Sequence, residues 1–218
     1  KQWEWIRKNP FGNVQYPQKP EPRTRALSLS ECALFLNGAK ESDSLYLYTY
    51  LLLLLLTAAR PREMANLQLH EINFEKRWLE FRRTKNGKIR IVPLAKQAYS
   101  LLVDHCAQHI QQASPYTTAR LDKVAKGIFV FPSLDGTQGR NFTTACETLR
   151  KRVGLEDFQI RDLRRTAATG LALLGVPVKV AQEMLDHSDP KLTMNIYQSI
   201  EREHVREGAQ KWEDAIRL

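Results

Sequence analysis

Apolar positions recur at helical spacing along most of this chain, with one interval where they change to the alternation of strands. Ser28, with Glu31 three positions on, predicts a helix start ahead of Ala33, Leu34, Phe35 and Leu36, because hydroxyl and carboxylate can each satisfy an orphan backbone N–H. A second helix is predicted from about Asp43 to Ala58. A short third one should begin at Pro61, whose fixed φ and missing N–H suit a first helical turn. Between Ile72 and Pro93, two apolar runs (Trp78, Leu79, Phe81 and Ile89, Ile91, Val92) bracket Asn86-Gly87, the pair best suited to a tight hairpin turn. A small antiparallel sheet of two or three strands is expected there. Helix returns from Ala95 to about Gln112, a polar loop runs to Lys126, a short apolar piece covers Ile128 to Phe131, and helices take most of the rest. The expected fold class is α+β, mainly α-helical.

The two ends read differently. Pro10, Pro17, Pro20 and Pro22 prevent continuous helix over residues 1–25 and favour an extended linker, with Trp3, Trp5 and Ile6 as the tail of a preceding helix. Val205, Ala209, Trp212 and Ile216 recur at helical spacing among charges, so an amphipathic helix is expected over 201–218. The main domain then spans 26–200. The first residue is Lys1 and no signal peptide is recognisable, so the chain is read as a fragment from which an N-terminal region was cut.

Composition narrows the class. With 43% hydrophobic and 26% charged residues, a packed interior is expected over disorder. The apolar run from Leu45 to Ala59 is shorter than the ~20 residues a membrane span needs, and it reads as a buried core helix, with no membrane partner. Cys32, Cys106 and Cys146 are widely spaced and form no Cys-x-x-Cys pattern, so buried reduced thiols are expected, with neither metal nor cofactor. The formal net charge of +9 suits a polyanionic partner, since neutralising phosphates releases their counterions.

Four segments carry the chemistry: Thr57-Ala-Ala-Arg60-Pro-Arg-Glu63; Thr84-Lys85-Asn-Gly-Lys-Ile-Arg-Ile-Val-Pro93-Leu94; Arg161-Asp-Leu-Arg164-Arg165-Thr166; and Leu185-Asp186-His187-Ser188, followed by Met194-Asn-Ile-Tyr197. In this order and at these separations they resemble the tyrosine recombinases, also called phage-type integrases, and the resemblance runs from about Arg25 to Tyr197. It implies the tyrosine recombinase catalytic-domain fold, a missing core-binding domain joined by the N-terminal linker, and cleavage of DNA without metal or ATP through a 3′-phosphotyrosyl link.

By this resemblance Arg60 and Arg164 hold the scissile phosphate, a task suited to the planar fork of a guanidinium, which donates two hydrogen bonds and stays charged. Lys85 protonates the departing 5′ oxygen, with Lys88 a nearby competitor. Arg161 stands where the family mostly has histidine, and it can bind phosphate but cannot exchange a proton near neutral pH. On a helix it would share a face with Arg164. His187 can donate to a nonbridging oxygen or take a proton from the nucleophile. Tyr197 is the expected nucleophile, while Tyr46, Tyr48, Tyr50 and Tyr99 sit in helical core patterns. Glu63 is expected to buttress Arg60. Asp186 stands where the family commonly has glycine.

The resemblance further implies double-stranded DNA attachment sites as partner, a homo-tetramer on DNA from subunits monomeric in solution, DNA-bending accessory proteins, a C-terminal tail that packs on a neighbouring subunit or on its own domain, and a cytoplasmic, nucleoid-associated location. An integrase of a prophage or integrative element is the expected role. A degenerate recombinase that binds without cutting and a type IB topoisomerase are the competing readings.

Overall fold

A computed structural model describes residues 23–82, 89–109, 127–187 and 189–198. The expectations for the N-terminal linker, the Asn86-Gly87 turn, Lys85 and Lys88, the polar loop and the C-terminal helix fall outside these residues.

Helix α1 (Leu29–Lys40) starts where the sequence indicates. Ser28 Oγ accepts from Glu31 N at 3.2 Å and Ser28 N donates to Glu31 Oε2 at 2.8 Å, a reciprocal cap worth about 1 kcal/mol. Helix α2 (Leu47–Thr57) begins later than Asp43, because Tyr46 takes a left-handed φ of 71° that helix cannot continue through. Leu47, Tyr50, Leu51, Leu53 and Leu54 are all buried, so α2 is the central rod of the domain. It packs against α1, against α4 (Lys96–His109) and against α6 (Asp162–Leu173). Ala58, again left-handed at φ 51°, stops α2, and α3 (Pro61–Ala65) follows with proline at its first turn. Helix α5 (Thr143–Arg152) lies so close to α1 that a Cβ on Gly38 would meet Val153 Cγ1 at 2.7 Å.

The sheet is a three-stranded antiparallel meander of β1 (Ile72–Asn73), β2 (Trp78–Phe81) and β3 (Arg90–Pro93). Its register pairs Leu79 with both Ile72 and Val92, and Phe81 with Arg90. Because side chains alternate across a strand, burying Val92 also turns Arg90 inward and leaves Ile89 and Ile91 more than half exposed. The piece at Ile128 to Phe131 lies along the chain near Gln68, with Leu69 N donating to Ile128 O and Val130 N to Leu67 O.

Leu27 to Leu163 supply one continuous core, in which Tyr50 stacks on Phe142 at 4.0 Å between centroids. A second, smaller cluster joins Ala58, Ala168, Ala181, Leu185, Ile196 and Tyr197. It is formed by the end of α2, by α6, by α7 (Val178–Leu185) and by α8 (residues 190–198). Cys106 and Cys146 are buried and Cys32 half-buried, all three as thiols. Among the described residues no helix is long and apolar enough to cross a membrane.

Candidate active site

The site is organised around the end of α7. A helix leaves its last carbonyls without intrahelical donors, and cations are favoured there by the helix dipole. Here three arginines from three separate elements supply the donors. Arg90 of β3 donates to Met184 O, Arg164 of α6 to Leu185 O, and Arg60, just before α3, to Asp186 O. Arg164 also reaches back to Ala58 O at 3.0 Å, tying the end of α2 to the end of α7. The chain then turns through Asp186 at φ 48° and ψ 48°, a left-handed conformation in which glycine is unstrained and aspartate tolerated.

Two carboxylates hold the arginines in turn. Glu63 spans Arg60 and Arg90, with Oε1 2.7 Å from Arg60 Nη1 and Oε2 3.0 Å from Arg90 Nη1. It also accepts from the Arg60 backbone N–H at 3.3 Å, so it caps α3 as well. The buttressing role expected of Glu63 is the geometry found. Asp186 Oδ2 lies 3.1 Å from Arg60 Nη1. Three guanidinium charges against two carboxylates leave a net positive site.

Burial and like charge shape its titration. Burial, with Arg90 and Arg60 close by, pushes the Arg164 guanidinium down to about 9, which leaves it charged at neutral pH. Burial also lowers Arg90, against the pull of Glu63. For Arg60 burial acts downward, but Glu63 and Asp186 outweigh it and the net shift is upward. Burial and the Arg164, Arg60 and Arg90 charges press His187 down to about 4, so its ring is neutral at pH 7. A neutral imidazole has one donor and one acceptor nitrogen, and Nδ1 is engaged at 2.8 Å with Thr193 Oγ1 on α8.

Tyr197, one residue before the last described position on α8, is only 5% exposed. Its hydroxyl is buried and, among the described residues, has no hydrogen-bond partner, and burial raises its pKa. Tyr197 shares its apolar cluster with Ala58 and Leu185, whose carbonyls are those gripped by Arg164. Arg60, Arg164, His187 and Tyr197 are thus brought to one locality. Arg161 is not gripped in this way. It stands just before the first turn of α6 and is exposed, while Arg164, one turn on, is half-buried and turned inward. Lys85 lies outside the described residues.

Sequence reasoning missed Arg90 and Thr193. Arg90 had a legible signal, since it is two positions from Val92 and must share its face. Thr193 had none, because its value lies in a contact with His187 that only the docking of α8 creates.

The sequence profile of the phage integrase family matches residues 26–204. The tyrosine recombinase XerA of Pyrococcus horikoshii is 29% identical over 154 residues, covering 70% of this chain and 50% of the relative. The integrase of Salmonella phage P22 is 25% identical over 197 residues, covering 84% of this chain and 46% of that one. The chain therefore spans about half the length of these curated relatives. In structure it is similar to the Tn1549 transposon integrase solved with circular intermediate DNA, at a TM-score of 0.66 and 23% identity, over 88% of this chain and 67% of the other. The catalytic domain of bacteriophage HP1 integrase superposes at a TM-score of 0.59 and 19% identity, over 85% of this chain and 93% of that domain. With most of its length under the family profile, and with the fold of these recombinases, the chain belongs to the phage integrase family as a tyrosine recombinase catalytic domain.

Proposed function

We infer that this domain cleaves and rejoins double-stranded DNA at a defined site through a 3′-phosphotyrosyl intermediate, for the integration or excision of a prophage or integrative element. The observation that carries this reading is the gathering of Arg60, Arg164, His187 and Tyr197 from distant stretches of sequence around the end of α7. In the reaction the Tyr197 oxygen forms a bond to phosphorus, the bond from phosphorus to the 5′ oxygen breaks, and Arg60 and Arg164 stabilise the charge of the pentacoordinate phosphate. His187, neutral at pH 7, donates to a nonbridging oxygen or takes the tyrosine proton, and Lys85 protonates the leaving 5′ hydroxyl. Arg161, exposed at the head of α6, is free to meet a DNA phosphate. The link conserves the energy of the bond, so neither ATP nor metal is required. Because the Tyr197 hydroxyl is buried, α8 has to shift before attack.

The proposed partners are double-stranded attachment sites, further copies of the protein in a tetramer on DNA, and DNA-bending accessory proteins, with the protein cytoplasmic and associated with the nucleoid. Support for the DNA partner comes from the Tn1549 integrase, which was solved on DNA. One observation favours a second reading, a recombinase that grips without cutting: the Asp186 carboxylate already occupies Arg60. Covalent capture separates the readings. The protein is mixed with sheared host and element DNA, quenched in detergent, and the attached DNA sequenced, with Tyr197→Phe as control. Adducts at one locus that vanish in Tyr197→Phe are expected. Scattered adducts would indicate topoisomerase-like activity, and none, with binding intact, would leave a DNA-binding protein.

A further inference from the structure

The Arg60 fork is already filled by its own chain. Of the two Nη1 hydrogens, one goes to Glu63 Oε1 at 2.7 Å and one to Asp186 Oδ2 at 3.1 Å, while Nη2 donates to the Asp186 carbonyl at 3.2 Å. Residue 186 alone therefore closes the paired Nη1–Nη2 edge, with a carboxylate oxygen on one arm and a carbonyl oxygen on the other. That is the pattern of oxygens and charge that a phosphodiester presents to an arginine.

The two carboxylates on Arg60 differ in a way that assigns them different tasks. Glu63 has a side chain 8% exposed and is bound also to Arg90, itself 3% exposed, so Glu63 cannot leave without stranding the buried Arg90 charge. Asp186 and Arg60 have side chains 36% and 35% exposed, and among the described residues Asp186 makes no second ion pair. Asp186 can swing into solvent, and a ligand arriving from solvent can take its place. The backbone adds a second observation. Position 186 needs φ of 48°, which glycine would adopt without strain, yet this chain carries there a side chain long enough to reach Arg60.

We propose that Asp186 is an internal stand-in for the scissile phosphate: its carboxylate closes the Arg60 fork in the DNA-free protein and must be displaced before phosphate is engaged. The inference rests on the reading of Arg60 as a phosphate ligand. A DNA phosphate then competes with a tethered carboxylate, and DNA that holds its phosphate badly fails to open the fork.

The test is a titration of the full chain with inorganic phosphate, followed through the side-chain N–H signals of Arg60, which are assigned with Arg60→Lys. Asp186→Asn keeps the shape, tolerates left-handed backbone and removes only the charge. Asp186→Gly removes the side chain and the strain together. Both variants are expected to bind phosphate about tenfold more tightly than the wild type, the scale of one half-exposed charge-assisted hydrogen bond released. Equal or weaker binding by Asp186→Asn overturns the proposal, since Asp186 would then merely orient Arg60. A gain in Asp186→Gly but not in Asp186→Asn also overturns it, by pointing to backbone strain. If Arg60 fails to respond to phosphate in every protein, the phosphate reading of the site falls along with it.

Discussion

Two tyrosines of this domain should respond in opposite directions to loss of a single oxygen. Tyr50 is 2% exposed and its hydroxyl donates to Pro61 O at 2.9 Å, so Tyr50→Phe removes a made hydrogen bond. Tyr197 is 5% exposed and its buried hydroxyl has no partner among the described residues, so Tyr197→Phe removes a group that has lost its water and gained no hydrogen bond there. A made hydrogen bond contributes about 1 kcal/mol net, and an unsatisfied buried hydroxyl costs about 1–3 kcal/mol. Tyr50→Phe should therefore lose about 1 kcal/mol, and Tyr197→Phe should gain about 1 kcal/mol, while abolishing covalent DNA capture. In a chain of this size each kcal/mol moves Tm by about 2–4 °C, so the variants should straddle the wild type by a gap of several degrees. Urea titration with an unchanged m-value is the assay, since it reports stability without a change in the surface exposed on unfolding. If Tyr197→Phe is destabilised as much as Tyr50→Phe, the hydroxyl has a partner in solution and the picture of a nucleophile stored at a cost in stability is wrong.

The ion-pair lattice and the histidine give further expectations. Glu63→Gln leaves the buried Arg90 charge uncompensated and should cost about 3 kcal/mol in urea unfolding, whereas Arg90→Met should cost far less; equal costs would refute this. His187 ionises near 6.5 when unfolded but is held to about 4 in the fold, so the unfolded chain binds more protons between those values. Stability contributed by the neutral ring is thus complete above about 6.5 and lost as pH falls toward 4, and His187→Gln should flatten the fall measured between pH 7 and pH 5. Thr193→Val removes the hydroxyl 2.8 Å from His187 Nδ1 without changing shape; it should slow covalent capture and alter the ring's nitrogen shifts, with Thr193→Ser restoring both.

The helix boundaries were legible wherever the determinant was local. Ser28 and Glu31 cap α1 through atoms three residues apart, and Pro61 fixes the first turn of α3 by its own ring. Leu47 to Thr57 could only be buried, because a helix apolar on every side has no face to give to water. The start of α2 was misplaced at Asp43, since the left-handed Tyr46 has no signature in residue type.

The motifs named Arg60, Arg164, His187 and Tyr197, and the tertiary structure decided what each one touches. Arg90 had no assigned role until register turned it inward onto Glu63. Asp186 read as a departure from a common glycine until its backbone proved left-handed and its carboxylate was found on Arg60. The sequence by itself determined the elements and the identity of the chemical groups, because caps, periodicity and side-chain chemistry act within a few residues. Only the fold decided that three arginines converge on successive carbonyls of α7, that His187 is neutral and that the Tyr197 hydroxyl is buried. These depend on distances between residues remote in the chain, and burial and Coulomb energy exist only once packing has set those distances.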